Sequence, residues 1–130
     1  MGKLEGKVAF ITGAARGQGR SHAVRLAEEG ADIIAVDICA QLQSVGYEMS
    51  TTADLEQTVK EVEALGRKIV ATEADVRDYR ALKAALKEGT EQLGPVQIVL
   101  ANAGIGPGGM ASNEQQWEEI IGLKEAGVIL

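Results

Sequence analysis

A chain of 130 residues has room for one domain with one hydrophobic core. Its formal net charge of −6 argues against nucleic acid and anionic membrane surfaces as partners, because both require clusters of basic side chains. The single cysteine excludes an internal disulfide, and no stretch approaches the roughly 20 apolar residues that span a bilayer or resembles a targeting signal. We therefore expect a cytoplasmic protein with no nucleic acid or membrane partner.

The first predicted element is an apolar strand, Val8–Thr12, that runs directly into a glycine-rich turn. Glycine permits a sharp turn and a close approach of the backbone to a ligand. A predicted helix, Arg20–Glu29, follows, and its N-terminus would direct unpaired amides and the positive end of its dipole at an anion. The segment therefore predicts a pyrophosphate cradle formed around Gly13, Gly17 and Gly19.

A second apolar strand, Ala31–Asp37, ends in a carboxylate. A carboxylate roughly 20 residues past such glycines is where a dinucleotide-binding unit accepts a hydrogen bond from a ribose 2′-hydroxyl. The next helical pattern begins only at Asp54, so residues 38–53 form an insertion, whereas about two to six residues are usual at this junction. Two interpretations stay open: a mobile surface insertion, or a flap over the adenosine half of a bound dinucleotide.

The rest of the pattern alternates helix, strand, helix and strand over Asp54–Leu65, Lys68–Ala74, Asp78–Leu93 and Val96–Ala101. The last of these strands is apolar on both faces, as expected inside a parallel sheet. The alternation predicts an α/β fold with a doubly wound parallel sheet of four strands in the order 3-2-1-4. After a glycine-rich loop, Ser112 and Gln115 fit a capping box and predict the start of another helix.

Four elements in register resemble the short-chain dehydrogenase/reductase family: Thr12-Gly13-x-x-x-Gly17-x-Gly19, Asp37, Asp75-Val76 and Asn102-Ala103-Gly104. The segments 13–22 and 36–39, with the insertion, are similar to a narrower branch, the mycofactocin-associated, carveol-dehydrogenase-like members, which hold NAD tightly and rarely release it. The resemblance covers nearly the whole chain. It implies a Rossmann-type domain, NAD as cofactor, and hydride transfer to or from a small-molecule secondary alcohol or ketone.

The resemblance also implies which residues bind the cofactor: Gly13, Arg16, Gly17, Gln18, Gly19, Asp37, Ile38, Cys39, Asp75, Val76, Asn102, Ala103 and Gly104. The first five would form the pyrophosphate turn. The next three would surround the adenosine ribose and adenine, although Cys39 could equally be buried structure. The Asp75-Val76 pair would meet the adenine ring, and the last three would pass the nicotinamide-side ribose.

Asp37 favours NAD over NADP, because its charge would repel a 2′-phosphate. Arg16 complicates this preference, since an arginine in the glycine turn binds that phosphate in related proteins. The simpler interpretation is that Arg16 pairs with a nearby acid or stays solvated.

The family's catalytic serine and Tyr-x-x-x-Lys follow a fifth strand, beyond residue 130. Tyr79 and Lys83 have the right spacing but precede the fourth strand, so we interpret them as a chance match on a helix surface. The family's catalytic asparagine would fall seven residues after Trp117, where this chain has Lys124. No catalytic residue and no metal site are therefore predicted.

We expect a single domain over residues 1–130, truncated after the fourth strand and the helix that follows it. It would be the cofactor-binding half of an oxidoreductase, inactive alone. The alternative is a non-catalytic dinucleotide-binding remnant or an assembly partner. A fourth strand left at an edge invites pairing with other chains, so we expect a homo-oligomer.

Overall fold

The structure, a computed structural model, describes residues 2–42, 45 and 47–104. Strands and helices alternate as β1 (Val8–Thr12), α1 (Gly17–Glu28), β2 (Asp32–Asp37), α2 (Thr52–Ala64), β3 (Ile69–Glu73), α3 (Tyr79–Leu93) and β4 (Ile98–Leu100). The strands pair in parallel in the order β3-β2-β1-β4, which confirms the predicted fold class and strand order. The predicted last helix, with Ser112, Gln115, Trp117 and Lys124, lies outside the described residues.

Side chains alternate between the two faces of the sheet, and different helices cover the two faces. One face joins β1 and β2 to α1 and α2 through a buried cluster that contains Ala9, Ile11, Ala23, Ala27, Ile33, Ala35, Leu55 and Val62. The other face joins the same strands to α3 through Val8, Phe10, Ile34, Val36, Leu82 and Ala85. The sheet is therefore the middle of three layers, and the two central strands are buried on both faces.

The first helix begins earlier than the sequence pattern indicated, at Gly17 rather than Arg20. The amide of Arg20 donates to the carbonyl oxygen of Arg16 at 3.3 Å, so helical hydrogen bonding starts inside the glycine run. Gly17, Gln18 and Gly19 consequently form the first turn of α1 instead of a loop before it. The helix N-terminus thus lies immediately beside the end of β1.

The fourth strand is shorter than predicted, Ile98–Leu100 rather than Val96–Ala101. It pairs with β1 and lies at the edge of the described sheet, and the side chain of Val99 is 52% exposed. The expected homo-oligomer stays a prediction. No helix in the described part of the chain is long and apolar enough to cross a membrane.

One side chain, Gln41, forms several hydrogen bonds within the connection from β2 to α2. Its amide nitrogen shares two N–H groups among the carbonyl oxygens of Leu42, Val45 and Tyr47, at 2.9 to 3.3 Å. Its amide oxygen accepts a hydrogen bond from the Met49 amide at 2.9 Å. Val45 is buried and Leu42 packs against the core, so part of the insertion packs against the domain.

Candidate functional site

A cleft of about 230 Å³ opens at the carboxyl end of the sheet. Its lining residues are Gly13, Arg16, Gly17, Asp37, Ile38, Tyr47, Met49, Ser50, Ala74, Val76, Asn102, Ala103 and Gly104. Parallel α/β sheets bind ligands at this edge, where the loops after neighbouring strands meet. The structure therefore brings together residues from all the predicted motifs: the glycine turn, the end of β2, and the segments after β3 and β4.

Some predicted site residues are not part of that lining: Gln18, Gly19, Cys39 and Asp75. Conversely, the sequence interpretation missed Tyr47, Met49, Ser50 and Ala74. The first three belong to the insertion, and no motif marks them. Ala74 could have been found, because it lies two positions before Val76 at the end of β3.

The carboxylate of Asp37 lies at the end of β2 and is only 7% exposed. Its Oδ2 accepts a hydrogen bond from the Ala15 amide at 3.0 Å, and its Oδ1 accepts one from the Cys39 amide at 3.0 Å. The hydroxyl of Ser50 also donates to Oδ1. Two backbone amides and the Ser50 hydroxyl from the insertion together fix the orientation of this buried carboxylate at the cleft.

The turn after β1 and the segment after β4 hold each other. The side-chain amide of Asn102 donates to the carbonyl oxygen of Gly13 at 3.3 Å, and the amide of Ala103 donates to Oγ1 of Thr12 at 3.1 Å. A Cβ on Gly13 would lie 3.0 Å from Cα of Ala103, and the φ angle of Gly13 is +69°. Glycine is therefore required here by both the backbone conformation and the close approach.

The N-terminus of α1 offers donors to an anion. Its N-cap residue, Arg16, forms no side-chain cap, and the amides of the first helical turn have no intrahelical acceptor. Gly19 belongs to this turn, and a Cβ on it would be 1.9 Å from the carbonyl oxygen of Gly13. The helix start and the glycine turn are thus in close backbone contact, and Gly17, the first residue of the helix, lines the cleft.

The guanidinium of Arg16 donates a hydrogen bond to the backbone carbonyl of Glu48. This contact ties the glycine turn to the insertion, whereas the sequence interpretation had Arg16 paired with an acid or solvated.

At the other end of the insertion, the pKa of the Asp54 carboxyl is lowered, chiefly because the Thr51 amide donates to it, with smaller effects from the charges of Arg16 and Arg20. The reciprocal hydrogen bonds between Thr51 and Asp54 form the capping box at the start of α2.

Asp75 is held by its neighbour Arg77 rather than aimed into the cleft. The guanidinium donates to both carboxylate oxygens, at 2.5 to 3.0 Å. Partial burial acts to raise the pKa of Asp75, but the hydrogen bonds and charge of Arg77 outweigh it, so the net pKa is lowered. The flanking residues Ala74 and Val76 line the cleft and give it an apolar wall.

Cys39 has a left-handed backbone, with φ of 50°, and its half-buried side chain packs against the core. Burial raises the pKa of its thiol from 9.0 to about 12, and the negative charges of Asp37 and Glu73 add to that effect. Raising the pKa of a thiol suppresses the thiolate, which is the reactive form. Cys39 therefore has the environment of a structural cysteine and not that of a nucleophile.

We expect the Cys39 thiol to react at least about a hundredfold more slowly with a disulfide reagent in the folded protein than in the unfolded protein at pH 8, because a pKa near 12 leaves only about one thiol in ten thousand ionised. Colour release from an aromatic disulfide, followed in buffer and in guanidinium chloride, measures both rates. Equal rates would contradict the raised pKa.

Tyr79 and Lys83 lie on α3 outside the cleft lining. Tyr79 is 52% exposed, and Nζ of Lys83 lies 5.9 Å from its ring centroid. Their positions agree with the interpretation of a chance match on a helix surface. His22 is likewise exposed on α1, and the described residues contain no cluster of three or more side chains suited to a metal ion.

Comparison with known proteins assigns the chain to a family. The sequence pattern of the short chain dehydrogenases matches residues 7–130. An uncharacterized NAD-dependent oxidoreductase of Mycobacterium tuberculosis is 54% identical over 129 residues, which is 97% of this chain and 47% of that protein. The (−)-trans-carveol dehydrogenase of Rhodococcus erythropolis is 47% identical over 98% of this chain and 47% of its own length. The chain thus spans about half the length of the curated relatives it matches.

Solved structures agree with this assignment. The carveol dehydrogenase from Mycobacterium avium, crystallised in complex with NAD, has a TM-score of 0.90 and 49% identity, over 99% of this chain and 50% of that one. A short chain dehydrogenase from Mycobacterium paratuberculosis, bound to NAD, has a TM-score of 0.93 and 46% identity, over 98% and 48%. With its fold, its cleft and its sequence in agreement, this chain belongs to the short chain dehydrogenase family.

Proposed function

We propose that this chain binds NAD and supplies the cofactor-binding half of an oxidoreductase of secondary alcohols or ketones. The observation that carries the proposal is the shared cleft of Asp37 and the glycine turn, which pairs a buried carboxylate with the amides of a helix N-terminus. Relatives named carveol dehydrogenase and cyclohexanol dehydrogenase both act, by their names, on secondary alcohols. Solved relatives hold NAD.

The residues present fit an adenine dinucleotide. An ionised carboxylate has about four acceptor positions, and the described contacts of Asp37 use two on Oδ1 and one on Oδ2. Oδ2 therefore keeps the capacity to accept a hydrogen bond from a ribose hydroxyl. Ala74 and Val76 offer an apolar surface for adenine, and the first amides of α1 offer donors for the pyrophosphate.

The same carboxylate favours NAD over NADP. A 2′-phosphate would be placed against a charge that is 7% exposed, where little water screens the repulsion. Arg16 could offset that repulsion, but its guanidinium is held at the insertion by its hydrogen bond to the Glu48 carbonyl. We therefore propose that the chain selects the dinucleotide without the 2′-phosphate.

For the insertion we propose the role of a flap over the adenosine half of the cofactor. Tyr47, Met49 and Ser50 line the cleft. The insertion is attached to the site at two points, through the Ser50 hydroxyl on Asp37 and the Glu48 carbonyl on Arg16. A cover attached directly to the cofactor-binding residues would slow the exchange of bound NAD.

When bound, NAD would supply hydride transfer at its nicotinamide ring. The residues of this chain would hold and orient it: Asp37 at the ribose, the glycine turn and the start of α1 at the pyrophosphate, and Asn102–Gly104 toward the nicotinamide side. Tyr79 and Lys83 lie outside the cleft lining, so we propose no proton transfer for them.

Calorimetric titration of the 130-residue chain with NAD and with NADP tests the proposal. We expect saturable heat with NAD and an affinity for NADP at least about tenfold lower, a difference of about 1.4 kcal/mol. Absence of heat with millimolar NAD would overturn the proposal. The absorbance of reduced nicotinamide, followed with NAD and a panel of secondary alcohols, tests whether the chain is active alone. We expect binding without turnover, and turnover would contradict the expectation that residues 1–130 carry no catalytic residue.

A further inference from the structure

Thr58 of α2 is not part of the cleft lining, but it contacts the glycine turn. Its side chain is fully buried, with an exposed fraction of 0%. Its Oγ1 lies 2.8 Å from the carbonyl oxygen of Ala14 and 3.0 Å from that of Ala15. These two residues lie between Gly13 and Arg16, both of which line the cleft. A helix that follows the insertion is thereby bonded to the turn proposed to hold the pyrophosphate.

The number of available hydrogens determines which group donates and which accepts in each of these contacts. A threonine hydroxyl has one proton and can fully satisfy only one carbonyl. Arg20 donates to the Ala15 carbonyl through Nη2 at 2.6 Å and Nε at 3.1 Å, and its Nε also lies 3.1 Å from Oγ1 of Thr58. The arrangement that satisfies every group has Arg20 donating to Ala15 and to Thr58, and Thr58 donating to Ala14.

The peptide unit between Ala14 and Ala15 is consequently fixed at both ends. Its carbonyl accepts from Thr58, and its amide donates to Oδ2 of Asp37 at 3.0 Å. A trans peptide is planar, so its C=O and N–H point in opposite directions, and fixing one fixes the other. The next peptide is held at its carbonyl end, because Arg20 donates to the Ala15 carbonyl through two nitrogens, and planarity directs the Arg16 amide away from that guanidinium.

We infer that Thr58 is a positioning residue for the cofactor: it orients the Ala14–Ala15 peptide, and through the Ala15 amide it orients the Asp37 carboxylate. The inference rests on the proposed binding of NAD. Arg20 assists, and its guanidinium is itself held at α2 by the Asp54 carbonyl at 2.7 Å and by Glu61 at 3.7 Å. Thr58, which lies outside the cleft lining, would thereby set the geometry of the groups that bind the cofactor.

The test compares Thr58→Val with Thr58→Ser in the 130-residue chain. Valine keeps the shape but removes the hydroxyl, and should weaken NAD binding by about tenfold, whereas serine should restore binding to within about twofold of the parent. Because Thr58→Val loosens the Asp37 carboxylate, the ratio of NAD affinity to NADP affinity should also fall in this variant. A purely structural role would leave that selectivity ratio unchanged.

Val62→Ala is the matched control, because Val62 is also buried on α2 but packs in the aliphatic core. It should lose stability and keep both NAD affinity and selectivity. If Thr58→Val does not fold, Arg20→Lys provides the test. Lysine keeps the charge but loses the two-nitrogen contact with the Ala15 carbonyl. The Arg20→Lys variant should therefore bind NAD several-fold more weakly. Parent-like affinity and selectivity in Thr58→Val, or in Arg20→Lys if Thr58→Val does not fold, would overturn the inference, whereas a parent chain that binds no NAD would overturn the proposed function itself.

Discussion

Replacing Asp37 with asparagine is expected to weaken NAD binding by about a hundredfold, because hydrogen bonds to a charged group contribute roughly 1.5–3 kcal/mol each. The asparagine side chain keeps one oxygen but replaces the other with a donor, and it removes the charge that orders the site. Affinity for NADP should change much less, since the repulsion from a 2′-phosphate disappears together with the hydrogen bond. Titration of the variant with both dinucleotides measures the two effects.

The same substitution should also lower the stability of the domain without any ligand. The Ala15 and Cys39 amides now donate to different carboxylate oxygens, and one of them would face an NH₂ group in Asp37→Asn. A buried donor left without an acceptor costs about 1–3 kcal/mol in the free energy of unfolding. Urea unfolding of the apo protein gives this value, so the loss of stability can be separated from the loss of affinity.

Glu73→Gln is a matched control for Asp37→Asn. Glu73 pairs in register with Asp37 at the end of β3, but its side chain is exposed and accepts from the Thr52 hydroxyl outside the cleft lining. The variant loses the same charge within the same part of the sheet and should bind NAD like the parent. Equal losses in the two variants would mean that only long-range charge matters, and would refute a direct contact between Asp37 and the ribose.

Replacing Gly19 with alanine is expected to reduce the free energy of unfolding by about 3 kcal/mol or more, because the added methyl group overlaps fixed backbone. The new Cβ would lie 1.9 Å from the carbonyl oxygen of Gly13 and 2.9 Å from Cα of Ala14. Either α1 or the glycine turn must move, and both contribute to the proposed site. NAD binding should fall below detection even under conditions in which the variant remains folded.

Gly66→Ala is the comparison for this substitution. Gly66 follows α2, far along the sequence from the glycine turn, and a Cβ there would meet nothing within 4 Å, although its φ of +77° is unfavourable for alanine. The expected cost is about 1–2 kcal/mol, with NAD affinity unchanged. Thermal unfolding of both variants ranks the two effects, and a Gly19→Ala protein as stable as Gly66→Ala would contradict the close packing of helix and turn.

The order of strands could be predicted because each signal is local. Val8–Thr12 and Ala31–Asp37 are continuous apolar runs, each followed by a turn or a break, and parallel connection with right-handed crossovers leaves few topologies. The extent of β4 could not be read in this way. Val96 and Ala101 are as apolar as a strand residue should be, but pairing with β1 covers only Ile98–Leu100.

The candidate site was predicted only in part, for a similar reason. The glycine turn and Asp37 follow strands at a characteristic spacing, so their proximity is set by the fold class. Ser50 approaches Asp37 because the insertion folds back over 13 residues, and no local pattern encodes that return. Thr58 was missed because its acceptors are backbone carbonyls, which carry no signature in the sequence.

Gln41 has a consequence for how the insertion can diverge among relatives. One amide group supplies hydrogen bonds that a regular element would distribute over many residues. We therefore expect substitutions to be tolerated at neighbouring positions with exposed side chains, whereas substitutions of Gln41 should not be tolerated. A transplant of this segment into another dehydrogenase would need that glutamine to keep its shape.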